Sequence, residues 1–294
     1  MKKYLTIDVG GTSTKYAVMS RAAKIFERGE FVTPKDTHEN FLNAIVKLHK
    51  IYNDVEGIAI SLPGIIDAEK GFCKASESIP HNNGHYIADE LEKICGVKVA
   101  VENDANCAAL AEVKKGNLAD VQDSFVLVIG TQIGGTFIKN KKIHRGSHLT
   151  AGELSFLIKG IYYAPGKNNF CGNLTNAGTL QKIYAELKEI QPNQVNIKKF
   201  FEELEAEDEI AVESMKRYAM IIGTLIYNLQ LVLDVEKFAI GGGMSIQPKF
   251  IYYIQRRVNF IFNHPKTLIF TKPEIVPCKF FNDSNLIGAL YNLL

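Results

Sequence analysis

No stretch of this chain is apolar for long enough to cross a bilayer as a helix, and no run of basic residues is dense enough to follow a nucleic-acid backbone. Lysine and arginine (34) nearly balance aspartate and glutamate (32), leaving a net charge of +2. That balance argues against a DNA-binding module or a membrane-surface protein. The first residues enter a strand pattern at once, without the charged and apolar regions of a secretory leader. Cysteine is scarce: Cys73, Cys95, Cys107, Cys171 and Cys278 are odd in number and scattered, and no pair has zinc-site spacing. They read as reduced thiols of a cytoplasmic protein rather than a disulfide framework. The composition, 46% hydrophobic and 22% charged, is that of an ordinary globular protein, and 294 residues suffice for two domains.

The most informative stretch comes first. Tyr4-Leu-Thr-Ile7 reads as a buried strand, Asp8 follows, then Gly10-Gly11 and the hydroxyl-rich Thr12-Ser-Thr14. Lys15 and a second apolar run, Tyr16-Ala-Val-Met19, complete a hairpin. Glycine lets backbone N–H groups approach a ligand closely, so the turn can cradle a phosphate, with Asp8 placed for a magnesium ion or its waters. A plain glycine hairpin with a capping aspartate is the other reading of the same residues.

Phe125-Val-Leu-Val-Ile-Gly-Thr-Gln-Ile-Gly-Gly-Thr-Phe-Ile138 repeats that order of strand, glycine turn and strand, with Gly134-Gly135-Thr136 matching Gly10-Gly11-Thr12. Two copies of one hairpin suggest two similarly built lobes. Between them, residues 38–52 carry helical periodicity, Gly57-Ile-Ala-Ile-Ser-Leu62 is a strand ending in Pro63-Gly64, and residues 67–80 resist assignment. Val97-Lys-Val-Ala-Val101 is a further strand, followed directly by Glu102-Asn-Asp-Ala-Asn106 and a helix. Asn103 or Asp104 is therefore either an N-cap or part of a pair in which a carboxylate takes a proton and an amide orients a hydroxyl. Glu153 is open to similar alternatives, a ligand for a hydroxyl or a surface acid. Gly241-Gly242-Gly243 follows a strand and precedes a helix, which suits a nucleotide or a flexible turn. Residues 165–173 read as a polar loop and 211–232 as a long buried helix.

Taken in order, Asp8-Val-Gly-Gly-Thr12, Ser61-Leu-Pro-Gly64, Glu102-Asn-Asp-Ala-Asn106, Ile133-Gly-Gly-Thr136, Gly152-Glu153, Ile240-Gly-Gly-Gly243 and Leu286-Ile-Gly-Ala289 resemble the motif set of ROK sugar kinases. The resemblance covers almost the whole chain. It implies an α/β, actin/hexokinase-like ATPase fold, a ribonuclease H-like duplication with two α/β lobes around a cleft. Residues 1–110 with 284–294 would form the N-terminal lobe and 111–283 the C-terminal lobe. It also implies ATP and magnesium as cofactors and a homodimer as the assembly. By the same resemblance Asp104 is the catalytic base, Gly64, Asn103, Asp104 and Glu153 hold the sugar, and Asp8 serves magnesium through water. Asp8, Gly10, Gly11, Thr12, Lys15, Thr131, Gly134, Gly135, Thr136, Gly241, Gly242 and Gly243 hold the nucleotide. The family's transcriptional repressors carry a DNA-binding domain ahead of the first hairpin, which here begins at residue 4, so a kinase is expected instead.

Two departures matter. Ser155-Phe156 stands where many members have Gly-His, and only Cys171-Gly172-Asn173 remains of a cysteine-rich zinc loop and its second sugar-binding glutamate. One cysteine cannot build a tetrahedral zinc site, so no structural zinc is expected there. Losing the histidine and glutamate removes contacts near the anomeric end, and Phe156 offers a face for a second ring. The expected substrate is therefore a β-glucoside such as cellobiose, phosphorylated on its 6-hydroxyl. Free glucose or N-acetylmannosamine is the alternative, and a non-catalytic sugar-binding protein a further one.

Overall fold

The structure, a computed structural model, describes residues 2–158, 160 and 169–294, so residues 165–168 of the expected polar loop lie outside the described residues. It divides into two compact units, one of Met1–Gly116, Arg145–Ala151 and Asn282–Leu294, the other of Asn117–His144 and Gly152–Phe281. The expected lobe boundary at residue 110 falls inside a helix that stays whole in the first unit, and residues 145–151 join that unit too.

Unit 1 is built on β1 (Lys3–Val9), β2 (Ser13–Ser20), β3 (Ile25–Val32), β4 (Gly57–Leu62), the small hairpin β5 (Ile65–Asp67) and β6 (Phe72–Ala75), and β7 (Lys98–Asn103). Its main sheet runs β3-β2-β1-β4-β7, antiparallel among the first three strands and parallel from β1 to β7. Every residue of β4 is buried, as a central parallel strand covered on both faces requires. At the antiparallel edge, β3 instead carries exposed Glu27, Arg28 and Glu30, charges that discourage further strand pairing. Strand β6 and the turn before it lie in the region that sequence periodicity left unassigned. Helices α1 (His38–Ile51), α2 (Ile87–Cys95) and α3 (Asp104–Lys115) belong to this unit, with the C-terminal helix Ser284–Leu293.

That last helix crosses α3 at backbone contact. A Cβ on Gly288 would lie 1.7 Å from the Cys107 carbonyl oxygen, so only glycine fits there. The close approach delivers Asn285 to the end of β1, as described below.

Unit 2 repeats the design with β8 (Ser124–Ile129), β9 (Ile133–Lys139), β10 (Lys142–Ile143), β11 (Lys237–Gly241) and β12 (Glu274–Pro277), in the order β10-β9-β8-β11-β12. The pairing is again antiparallel on one side of the first strand and parallel on the other. Helices α4 (Gly172–Thr175), α5 (Ala177–Leu187), α6 (Ile197–Glu205), α7 (Glu209–Leu233) and α8 (Pro248–Phe262) complete it. In α7, Tyr218 is wholly buried and donates its hydroxyl to the Thr175 carbonyl at 2.6 Å, satisfying the one polar atom it takes into the core. Among the described residues no helix is long and apolar enough to cross a membrane.

Candidate active site

The parallel register of unit 1 lines up polar residues at the carboxyl ends of three strands. Asp8 of β1 pairs with Ser61 of β4, and Ser61 with Glu102 of β7. Neighbouring strands lie about 4.8 Å apart, so the row spans roughly 10 Å. Strand carboxyl ends are where open α/β sheets hold ligands.

Asp8 Oδ1 accepts hydrogen bonds from Ser61 Oγ at 2.9 Å and from Asn285 Nδ2 of the C-terminal helix at 3.0 Å. Burial pushes the Asp8 pKa up, against the pull of those two donors and of Lys15, its partner across the β1–β2 pair. A carboxylate that burial disfavours, with one oxygen already fixed by two donors, suits a hydrated magnesium ion, whose charge would offset the desolvation. The adjoining turn is closed by Gly10 N donating to Ser13 O at 3.1 Å, and a Cβ on Gly10 would lie 2.7 Å from that same oxygen. Thr12 and Lys15 are exposed beside it.

Asn103 makes two contacts at once. Its Oδ1 accepts from Asn106 N at 3.1 Å, capping α3, while its Nδ2 donates to the Gly64 carbonyl at 2.9 Å. An amide has two N–H groups, so Nδ2 carries a second donor beyond this bond. Gly64 sits at φ +117°, and a Cβ there would lie 2.3 Å from Ala75 O, so this turn needs glycine and rests on backbone. Asp104 opens α3, half-buried, its Oδ1 accepting from Ala105 N at 2.8 Å.

Beneath this turn lies an ion pair that sequence reasoning did not identify. Glu102 is fully buried; its Oε1 accepts from Asn103 N at 2.8 Å and Asn106 Nδ2 at 3.0 Å, and its Oε2 pairs with the Arg145 guanidinium. Glu102 and residues 145–151 lie in the same unit. Nothing in the sequence connected Glu102 to Arg145.

In unit 2 the second glycine triplet is placed differently from the first. The turn between β8 and β9 is Gly130-Thr131-Gln132, with Thr131 exposed. Gly134, Gly135 and Thr136 lie within β9, opposite Val128, Leu127 and Val126. Thr136 is buried, and a Cβ on Gly135 would meet the Phe125 ring at 2.5 Å. The expectation that Gly134–Thr136 repeats the turn of Gly10–Thr12 is thus corrected: the repeated object is the sheet, and the second triplet is in the strand that follows the turn. Its small residues admit the next segment, since a Cβ on Gly152, at φ +97°, would lie 1.9 Å from Gly135 O.

Glu153 follows, exposed as a residue, with surrounding atoms crowding its carboxyl and pushing its pKa up. Ser155 Oγ donates to Ile133 O at 2.7 Å and accepts from Ile133 N at 3.2 Å, fastening this segment to the start of β9. Phe156 is 59% exposed and meets Phe170 edge-on, centroids 5.8 Å apart.

The triple glycine divides its work. Gly241 is buried at the end of β11, and Gly242, at φ +97°, could not carry a Cβ because Ile129 O would be 1.9 Å away. Only Gly243 is exposed, with open space where a side chain would be. A short turn of helix, Gly243–Ile246, follows it before α8. Ala177 N donates to Gly130 O at 3.0 Å, so the β8–β9 turn, the start of α5 and the Gly242–Gly243 turn form one group.

Comparison with known proteins accords with this arrangement. The profile of the ROK family matches residues 4–293. The chain is 30% identical to a beta-glucoside kinase of Listeria innocua, covering 99% of this chain and 97% of that protein. It is 29% identical to a glucokinase of Halalkalibacterium halodurans over 82% of this chain and 80% of the other. Among solved structures, a ROK family protein from Streptococcus pneumoniae in complex with sucrose superposes with a TM-score of 0.86, at 28% identity, covering 99% of this chain and 98% of that one. Together with the duplicated sheets, these likenesses show the actin/hexokinase-like fold.

Proposed function

This chain belongs to the ROK family and is a carbohydrate kinase, and we propose that its acceptor is the 6-hydroxyl of a β-linked glucoside such as cellobiose, with ATP as donor. One observation carries the choice of a glucoside. Ser155-Phe156 occupies the segment after Glu153, Ser155 is committed to the β9 backbone, and the exposed Phe156 ring offers an apolar face to a second sugar. The likeness to a beta-glucoside kinase, and to a ROK protein that holds a disaccharide, supports the same reading.

In this reading Gly64, Asn103 and Glu153 fix sugar hydroxyls. Asp104 orients the 6-hydroxyl and takes its proton as the oxygen bonds to the γ-phosphorus; the bridging P–O bond breaks and ADP departs. Phosphoryl transfer proceeds through a loose transition state, so the protein's work is positioning and charge neutralisation. Magnesium, held through water by Asp8, would supply much of that neutralisation. The Gly10–Thr12 turn and Lys15 are assigned to phosphate, the Gly130–Gln132 turn and the start of β9 likewise, and Gly243 to the adenosine. The two buried members, Gly135 and Thr136, serve by shaping β9.

Free glucose or N-acetylmannosamine is the second reading, and the likeness to a glucokinase favours it for glucose. Turnover on cellobiose, glucose and N-acetylmannosamine with ATP and magnesium separates them. A higher kcat/KM for cellobiose is expected; a clear preference for a monosaccharide defeats the glucoside assignment.

A further inference from the structure

Unit 1 carries a second cluster of ligating side chains with no part in phosphoryl transfer. His38 at the start of α1, His85 ahead of α2 and Glu90 within α2 each offer a ligand atom, and these atoms lie within 4.8 Å of one another. His38 Nε2 is 2.9 Å from one Glu90 oxygen and His85 Nδ1 is 3.4 Å from the other. We propose that His38, His85 and Glu90 bind a divalent transition-metal cation of the zinc class, with water as the fourth ligand.

The donor set is two imidazoles and a carboxylate, which zinc accepts while leaving a position open to solvent. The outer shell is already in place. His38 Nδ1 lies 2.7 Å from Asn82 Oδ1, and Asn82 is wholly buried. An amide oxygen only accepts, so Nδ1 carries the hydrogen, an arrangement that leaves Nε2 as the nitrogen a metal can take in the neutral ring. Nε2 faces a carboxylate oxygen, a contact that either a proton on that nitrogen or a cation between the two satisfies. One proton would serve one nitrogen; a metal ion serves both imidazoles and the carboxylate together. His38 is nearly covered, at 13% side-chain exposure, while Glu90 and His85, at 33% and 40%, leave a path for the ion.

The two rings now stack with centroids 3.6 Å apart and planes 21° apart. In-plane lone pairs of near-parallel rings do not converge, so binding requires the more exposed His85 to swing out of the stack. The ion would then join α1, the loop before α2 and α2 itself. That loop continues into Ser76, whose N–H donates to Asn83 Oδ1 at 2.7 Å, and Ala75 and Ser76 form the backbone against which Gly64 rests. The site is thus a staple for the support of the Gly64 turn and stands independently of the substrate assignment.

The test uses the full chain, free of affinity tags and stripped with a chelator, titrated with zinc alone. One zinc per chain after gel filtration is expected, with a melting temperature raised by about 5–10 °C at a hundredfold excess over Kd. Cobalt substitution should give d–d bands without a thiolate charge-transfer band. Cys171→Ser should keep the ion. His85→Asn and Glu90→Gln, each checked for native circular dichroism, should lose both the ion and the shift. No stoichiometric zinc, zinc retained by folded His85→Asn, or zinc lost with Cys171→Ser would each overturn the proposal.

Discussion

Arg145→Met should unsettle the turn that presents Asp104 without touching any residue assigned to substrate. Glu102 is fully buried, and the Arg145 side chain is 28% exposed. Removing the guanidinium leaves a carboxylate held only by Asn103 N and Asn106 Nδ2. Breaking a buried ion pair from one side costs about 3–5 kcal/mol, because the surviving charge stays desolvated. Partial exposure of the arginine puts this pair near the lower end, about 3 kcal/mol, or roughly a 150-fold rise in the unfolding constant. At about 2–4 °C per kcal/mol the melting temperature of unit 1 should fall by about 6–12 °C. Because Glu102 bonds the residues on either side of Asp104, kcat should fall as well.

The double variant Glu102→Gln with Arg145→Met sharpens the case. Glutamine Oε1 can still accept from Asn103 N and Asn106 Nδ2, and no charge is left buried, so most of the stability should return. Differential scanning calorimetry on wild type, the single and the double variant reads this directly. A single variant melting within about 2 °C of wild type, against the penalty expected for an unpaired buried charge, or a double variant no better than the single, would refute the reasoning.

Three further outcomes follow from the same sheet edge. Gly64→Ala places a Cβ against backbone that cannot move aside and strains φ +117°, so it should cost about 2–4 kcal/mol and raise KM for sugar, measured by thermal melts and steady-state kinetics. Asp8→Asn keeps an oxygen for Ser61 and Asn285 and removes a buried charge, so the ligand-free protein should be at least as stable as wild type while kinase activity is lost; a large drop in melting temperature would contradict this. Since burial raises the Asp8 pKa above its ordinary 3.8, the folded protein holds that proton more tightly than the unfolded chain. The stabilisation it brings is present at low pH and is lost as pH rises from 3.8 through the raised value, so the melting temperature of wild type relative to Asp8→Asn should decline across that interval and flatten above it.

Local chemistry was legible in the sequence wherever one stretch of chain did the whole job. The β1–β2 hairpin, the strand end at Asn103 and the N-terminus of α3 could be read because strand period, turn residues and cap lie side by side. The duplication was legible too, but its register was not: Gly-Gly-Thr reads alike in a turn and in a strand, and the glycines of β9 are explained only by Gly152 pressing on Gly135 O. What sequence could not show were pairings over long separations. Arg145 with Glu102, Asn285 with Asp8, and the meeting of His38, His85 and Glu90 depend on how helices cross the sheet. The expectation of no zinc considered cysteines, and the histidine cluster has no spacing that marks it.

The assignment of Asp104 as the base is tested most directly by one comparison, sugar-dependent ATP turnover by wild type and Asp104→Asn on cellobiose, with sugar affinity measured on the same samples. The account predicts turnover lower by at least about 10²–10⁴-fold with affinity for cellobiose largely kept. Turnover close to wild type, with sugar still bound, would contradict it.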